Sequence, residues 1–213
     1  MAKKKTKGLF IVFEGPDRTG KSTQSALLIK KLSELGREVV HTREPGGTPC
    51  AEAIRRMVLD PAYKVLPMAE LLLYEASRAQ HTGEKILPAL QAGKVVLCER
   101  YAMSSVAYQC GGRGLSEKTV NTLNEIATGG LHPDLTIVFS MPDSNFTTRG
   151  RHLKADRLEM EGGDFRSRVR KAYARLARTT RGAVLLNADR SVEEVEADIW
   201  KLVSRRLGAK RRG

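Results

Sequence analysis

The sequence predicts an α/β fold: one parallel β-sheet covered by helices on both faces. Three observations lead there. Short apolar runs rich in branched residues recur along the chain, stretches with helical apolar spacing separate them, and a Gly-x-x-x-x-Gly-Lys-Ser turn joins the first run to the first helix. Strands buried on both faces read as unbroken apolar runs. Strand–helix alternation builds crossover units, which place parallel neighbours in one sheet.

Taken in order, "GLFIVFEG" is a continuous apolar run ended by glycine and predicts the first strand. From Lys21 to Leu35, Ala26, Leu27, Ile29 and Leu32 fall at helical spacing, and Gly36 supplies the stop. "REVVHT" predicts the second strand, "KVVLCE" the third, "DLTIVFS" the fourth and "GAVLLNA" the fifth. "CAEAIRRMVLD" and "AELLLYEASRAQHTGEKILPALQAG" predict helices, the second broken or re-initiated near Thr82–Gly83. Further helices are expected over Ser104–Gln109, Glu117–Thr128, Phe165–Arg178 and Val192–Leu207. No repeat, low-complexity tract or Pro/Gly/Ser-rich linker interrupts the pattern. The expected organisation is a basic tail (1–7), one domain (8–207) and a second basic tail (208–213).

Composition narrows the function classes. The chain has 213 residues, enough for a full core, and 41% hydrophobic against 29% charged residues, as in ordinary globular proteins. No apolar run approaches the ~20 residues of a membrane span. "MAKKKTKG" is basic, but the apolar run behind it is short and leads into the glycine loop, so no secretory signal is read. Three cysteines without metal-ligand spacing point to reduced, buried thiols and a cytoplasmic protein. The net charge of +13 favours anionic partners. Part of the excess lies in the tails, and aromatic residues are only 5%, too few for a base-stacking surface, so nucleic acid is not the expected partner.

The most specific local signal is Gly15-x-x-x-x-Gly20-Lys21-Ser22, within "FEGPDRTGKSTQ". It leaves a predicted strand and opens a predicted helix, the context in which glycines let backbone N–H groups cradle phosphate oxygens. Lys21 can reach the outer phosphates and Ser22 can ligate Mg²⁺; Thr19 and Thr23 complete the loop. In doubly wound sheets, ligands gather at the carboxyl ends of the strands. That rule brings the loop, "TREPGG" after the second strand and "ERY" after the third around one crevice.

"FEGPDRTGKSTQ", "TREPGGTP", "LLLYEASRAQH", "ERYAMSSVAYQ" and "PDLTIVF" stand in the order seen in thymidylate kinases, and from about Gly8 to Leu207 the chain resembles a bacterial-type member of that family. The resemblance implies a three-layer phosphate-loop NTPase fold with a five-stranded parallel sheet, a mobile lid at about 147–162, and commonly a homodimer. It implies phosphoryl transfer from ATP, with Mg²⁺, to dTMP. Both substrates are polyanions and the acceptor oxygen is already ionised, so the chemistry needs placed cations rather than a general base.

Residue roles follow from the resemblance. Gly15, Asp17, Arg18, Thr19, Gly20, Lys21, Ser22 and Thr23 are expected around ATP, with Arg18 an arginine finger supplied in cis. Asp17 matches the carboxylate near the sugar 3′-hydroxyl or the metal shell. Arg100 and Arg55 match arginines on the acceptor phosphate, above a loop shaped by Glu44 and Pro45. Arg43 has two readings, added charge or a pair with a nearby acid. Tyr74 is expected to stack on thymine, where the family more often has phenylalanine, and Arg78 to hydrogen-bond the base. Ser105 and Gln109 suit the polar edge of the pyrimidine, and Tyr108 crowds the 2′ position of the sugar. Arg149, Arg151 and Arg157 of the lid segment are expected to close over the ATP phosphates, with Asp156 and Glu159 orienting them or capping the next helix. Glu99 stands where the family usually has aspartate; with Ser22 it is the expected metal-side residue. The expected division of labour gives Arg18 the main work, assisted by Arg149 and Arg151. The four histidines show no metal or triad pattern.

Two other functions compete. One is a kinase of a different deoxynucleotide or of a deoxynucleoside on the same architecture. The other is an ATP-hydrolysing or switching module that grips nucleic acid, which would have no need of Arg55, Arg100, Ser105 and Gln109.

Overall fold

A computed structural model of the chain describes residues 8–142 and 157–210. Five strands form one sheet: β1 (Leu9–Glu14), β2 (Val39–Arg43), β3 (Val95–Glu99), β4 (Leu135–Ser140) and β5 (Ala183–Asn187). Their order is β2-β3-β1-β4-β5, and every pair is parallel. All five coincide with the predicted apolar runs. β1 is central and every one of its residues is buried, which is why its sequence shows no alternation.

Alternate residues of β1 serve opposite faces. Leu9, Ile11 and Phe13 join Leu97, Ile137 and Phe139 beneath α1 (Lys21–Glu34) and α8 (Val192–Lys210), against Leu28, Leu32, Ile199 and Val203. Phe10 and Val12 face the other way, with Val96, Cys98, Ile86, Leu90 and Tyr101. Each fully buried Leu, Ile or Phe stabilises by about 1.5–3 kcal/mol. The sheet is therefore a rigid platform for whatever lies at its carboxyl edge.

The connecting helices are α2 (Pro49–Leu59), α3 (Pro67–His81), α4 (Leu87–Gln91), α5 (Ala102–Ser105), α6 (Glu117–Thr128) and α7 (Gly163–Thr179). Thr48 caps α2 by accepting the Ala51 N–H, with Pro49 at the first helical position. The predicted break at Thr82–Gly83 is a π-helical stretch, Thr82–Ile86, leading into α4. Pro88, which has no N–H to give, stands just beyond it in the first turn of α4. The helix expected over Ser104–Gln109 is longer: α5 continues as a π-helical stretch, Val106–Gly112.

Two expectations need correction. α8 runs to Lys210, so residues 208–210 of the predicted second tail (208–213) belong to a helix. All three cysteines are free, but only Cys98 is buried; Cys50 is exposed. Of the predicted lid, residues 147–156 lie outside the described residues, Arg149, Arg151 and Asp156 among them.

Candidate active site

β1 ends in the glycine turn. A side chain at Gly15 would place its Cβ 2.5 Å from the Phe139 carbonyl oxygen, at a φ of +125°, so only glycine fits. Gly20, also left-handed, is the residue from which α1 starts. Lys21 folds back into the turn, where its Nζ donates to the carbonyls of Gly15 (3.0 Å) and Pro16 (2.5 Å). Thr19 closes the loop by donating to the Pro16 carbonyl. Burial, then the nearby Arg100 guanidinium, pull the Lys21 ammonium down to about 7 against the opposing pull of Asp17, Glu99 and Glu14.

Arg18 has a left-handed φ of 61°, and its Nη2 donates to Glu159 Oε2 at 3.0 Å. Ser22 Oγ donates to Glu99 Oε2 at 2.7 Å, and Glu99 Oε1 lies 3.0 Å from His41 Nε2. Burial raises Glu99, but the hydrogen bonds from His41 and Ser22 outweigh it and hold the carboxyl below its usual range. Ser22, Thr23, Lys21, Arg18 and Glu99 all line one open cleft of about 550 Å³ at the carboxyl edge of the sheet.

Arg100 leaves β3 with a φ of 68°. Its Nη2 donates to Asp17 Oδ1 (2.5 Å) and to the Tyr108 hydroxyl (3.1 Å); its Nη1 donates to the Tyr173 hydroxyl (3.0 Å). Tyr108 in turn donates to Asp17 Oδ2 at 3.2 Å. Burial pushes Asp17 up, yet the Arg100 and Lys21 charges win and hold it at about 2. Behind this group lies Glu14, wholly buried. It accepts from the Ser104 and Tyr173 hydroxyls and from the N–H groups of Tyr101 and Ser104. Burial raises its pKa despite those donors.

A smaller cavity of about 70 Å³ adjoins, lined by Tyr74, Arg78, Ser105, Tyr108, Gln109 and Pro45, with Leu59 and Leu158 closing it. Four residues, Asp17, Glu44, Arg55 and Arg100, line both this cavity and the cleft. Arg55 reaches in from α2 and is steadied by the Pro45 carbonyl at 2.9 Å. Arg43 pairs with Glu52 at 3.2 Å, the nearby acid of its second reading, and it also lines the cleft.

Arg78 is 2% exposed and heavily committed: Nε to Glu44 (2.7 Å), Nη1 to Glu75, Ser105 and Asn124, and Nη2 to the Tyr101 carbonyl (3.1 Å). Nη2 carries a second N–H, which is what remains for a ligand. Ser105 donates to Glu75 and accepts from Arg78, so its hydroxyl too is largely engaged. Among the described residues, Gln109 Oε1 has no protein partner, while its amide Nε2 donates to Glu70 at 3.0 Å. His81 bridges Glu44 and Thr42.

Sequence reasoning missed Glu14, Glu70, Glu75, Asn124 and Tyr173. The acids carried a signal: Glu14 ends an apolar strand, and Glu70 and Glu75 sit in a helix with buried neighbours. An acid in such a place must find donors. Tyr173 and Asn124 carried none, because their partners lie in other elements.

Five parallel strands in this order, with a phosphate-binding turn at the tip of the central one, define a protein of the phosphate-loop NTPase type. The sequence model of the family described as "Thymidylate kinase" matches residues 13–199. The thymidylate kinase of Deinococcus radiodurans is 45% identical over 203 residues, covering 94% of this chain and 98% of that protein. That of Halothermothrix orenii is 47% identical, covering 92% and 97%. The crystal structure of thymidylate kinase from Ehrlichia chaffeensis superposes with a TM-score of 0.76 at 29% identity, covering 92% of this chain and 98% of the other. The chain belongs to the thymidylate kinase family, and with it to the phosphotransferases.

Proposed function

We propose that the chain transfers the γ-phosphoryl group of ATP to dTMP, giving dTDP and ADP. One observation carries this reading. The small cavity and the phosphate-loop cleft share a wall of Asp17, Glu44, Arg55 and Arg100, so a nucleoside monophosphate seated in the cavity presents its phosphate to the cleft. An ATPase or switch has no use for the second chamber.

In this reading Tyr74 stacks on the base, Gln109 and the spare Arg78 N–H read its polar edge, and Tyr108 fills the space a 2′-hydroxyl would need. Arg100 and Arg55 neutralise the acceptor phosphate. Arg100 is preorganised by Asp17, Tyr108 and Tyr173, so little reorganisation is left for the moment of transfer. The backbone of residues 15–20 cradles the donor phosphates, and Lys21 exchanges its carbonyl partners for phosphate oxygens. Arg18 stabilises charge on the transferred group, with Arg149 and Arg151 assisting from the lid segment.

The metal side fits as well. Ser22 and Glu99 offer hard oxygen donors in the cleft, as Mg²⁺ requires. Among the described residues no cluster of three or more His, Cys, Asp or Glu could hold a metal ion by itself, which suits an ion held largely by phosphates and water. Ser22 would hold the ion, Glu99 would orient Ser22, and the ion would supply charge neutralisation between the phosphates.

We also propose a homodimer and a cytoplasmic location. Met57 of α2, Met68 and Leu72 of α3 and Ile126 of α6 leave apolar surface exposed on packed neighbouring helices, a face a second copy would cover. No described helix is long and apolar enough to cross a membrane.

A coupled assay with ATP, Mg²⁺ and a panel of nucleoside monophosphates tests the reaction. dTMP is expected to be the preferred acceptor. An inert dTMP beside an active dCMP or free deoxynucleoside would overturn the assignment.

A further inference from the structure

Glu70 is wholly buried in α3, yet it is no isolated acid. Its Oε1 accepts from Gln109 Nε2 (3.0 Å) and Arg113 Nε (3.3 Å), and its Oε2 accepts from Arg113 Nη2 (3.1 Å) and Arg157 Nη2 (2.6 Å). A carboxylate between two guanidiniums can only accept. The Gln109 amide must therefore turn its NH₂ toward Glu70, and its carbonyl oxygen is left for the cavity that Gln109 lines.

We infer that Glu70 is a positioning residue that sets base specificity: by fixing which end of the Gln109 amide faces the cavity, it makes the site accept a base with an N–H at ring position 3 and reject one with a bare nitrogen there. The inference rests on the proposed seating of a pyrimidine nucleotide in that cavity. Thymine and uracil carry the N3–H donor; cytosine has an acceptor at N3, which would meet the Gln109 carbonyl lone pair to lone pair. Sites built around one hydrogen-bond pattern discriminate strongly, because the wrong base leaves buried polar groups unpaired.

The same carboxylate reaches beyond the base. Arg157, the first described residue of the predicted lid, is held both by Glu70 and by the Val58 carbonyl at 2.9 Å. Glu70 thus joins α3, the π-helical stretch carrying Gln109 and the described part of the predicted lid.

The test is Glu70→Gln, assayed for kcat/KM with dTMP, dUMP and dCMP, with thermal unfolding followed in parallel. Arg113 and Arg157 would hold the new carbonyl, so its NH₂ would face Gln109 and flip that amide. The dTMP-to-dCMP ratio should fall by ~10-fold or more, while the dTMP-to-dUMP ratio stays within about twofold, since both bases share the N3–H. A loss of general packing would move both ratios. In the reversed pair, Glu70→Gln with Gln109→Glu, the amide introduced on α3 donates to the new carboxylate, whose other oxygen faces the base, so the preference for dTMP over dCMP should return. If Glu70→Gln alone does not fold, the reversed pair decides: preference kept supports the inference, preference lost overturns it. A folded Glu70→Gln with an unchanged dTMP-to-dCMP ratio, or with both ratios falling together, also overturns it. A wild-type enzyme with no preference for dTMP over dCMP would overturn the substrate reading itself and this inference with it.

Discussion

Arg18 Nη2 and Glu159 Oε2 lie 3.0 Å apart, although 141 positions of chain separate them. The phosphate loop is thereby tied to the turn that precedes α7, at the end of the predicted lid. The arginine lines the wall of the cleft from this held position, and in the proposed reaction it would exchange a carboxylate for a phosphate when the donor arrives.

That exchange separates the two residues in kinetics. Arg18→Ala should lower kcat by ~10³-fold, the range such arginines supply. Glu159→Gln, which keeps a hydrogen-bond acceptor, should lower kcat by less than about tenfold, because it loosens the tether and leaves the charge. Arg149→Ala in the same assay weighs the lid segment against the loop. A loss of less than about tenfold in Arg18→Ala would move the main catalytic charge away from Arg18.

Lys21 gives a prediction in protons. Its ammonium is held at about 7 in the folded chain by burial and Arg100. Arriving phosphates add negative charge and restore the protonated form. ATP binding should therefore take up almost no proton at pH 6, about half a proton at pH 7 and close to one at pH 8. Titration calorimetry in buffers of different ionisation enthalpy reads this directly, and Lys21→Arg should remove the pH dependence. Equal uptake in the two proteins at pH 8 would assign the proton elsewhere.

The sheet was legible because β1, β3 and β4 are buried on both sides and read as unbroken apolar runs bounded by glycine or polar turns. The glycine turn was legible because Gly15 has no room for a Cβ, a constraint that leaves its mark in sequence. The ends of helices were less so: Lys210 continues α8 because helix termini follow packing and capping rather than charge. The two π-helical stretches left little trace beyond Pro88. The network behind the site was the least visible. Tyr173 meets Arg100 and Glu14 only after α7 has folded back onto β4, β5 and the π-helical stretch Val106–Gly112, and no local pattern records such a meeting.

Asp17 carries a pH signature of the opposite sign to that of Lys21. Its folded pKa is depressed from 3.8 to about 2, chiefly by Arg100 and Lys21 acting against burial. Stability from this carboxylate is fully present above pH 4 and is lost as the pH falls toward 2. Its side chain is 35% exposed, so solvent screening reduces the contribution to about 1 kcal/mol. Urea unfolding of wild type and Asp17→Asn should differ by that amount at pH 6, and the gap should narrow below pH 4. A gap that is constant from pH 6 to pH 3 would locate the stabilisation in hydrogen bonding rather than charge.

Tyr173→Phe tests the support behind the acceptor side. One hydroxyl joins Arg100 Nη1 (3.0 Å), Ser104 Oγ (2.8 Å) and Glu14 Oε2 (3.0 Å), and the ring packs beside Tyr108 with centroids 6.1 Å apart. Phenylalanine keeps the ring and removes the bridge, so a buried acid loses a donor, at a cost of about 1–3 kcal/mol. For a chain of this size that lowers Tm by roughly 2–4 °C per kcal/mol. Arg100 would keep Asp17, Tyr108 and the longer Ser104 contact (3.4 Å) but lose the shorter of its two Nη1 anchors. KM for dTMP should therefore rise by ~3- to 10-fold while KM for ATP stays near its wild-type value. If Tm falls and both KM values are unchanged, Tyr173 serves the core alone and Arg100 is held well enough by Asp17, Tyr108 and Ser104.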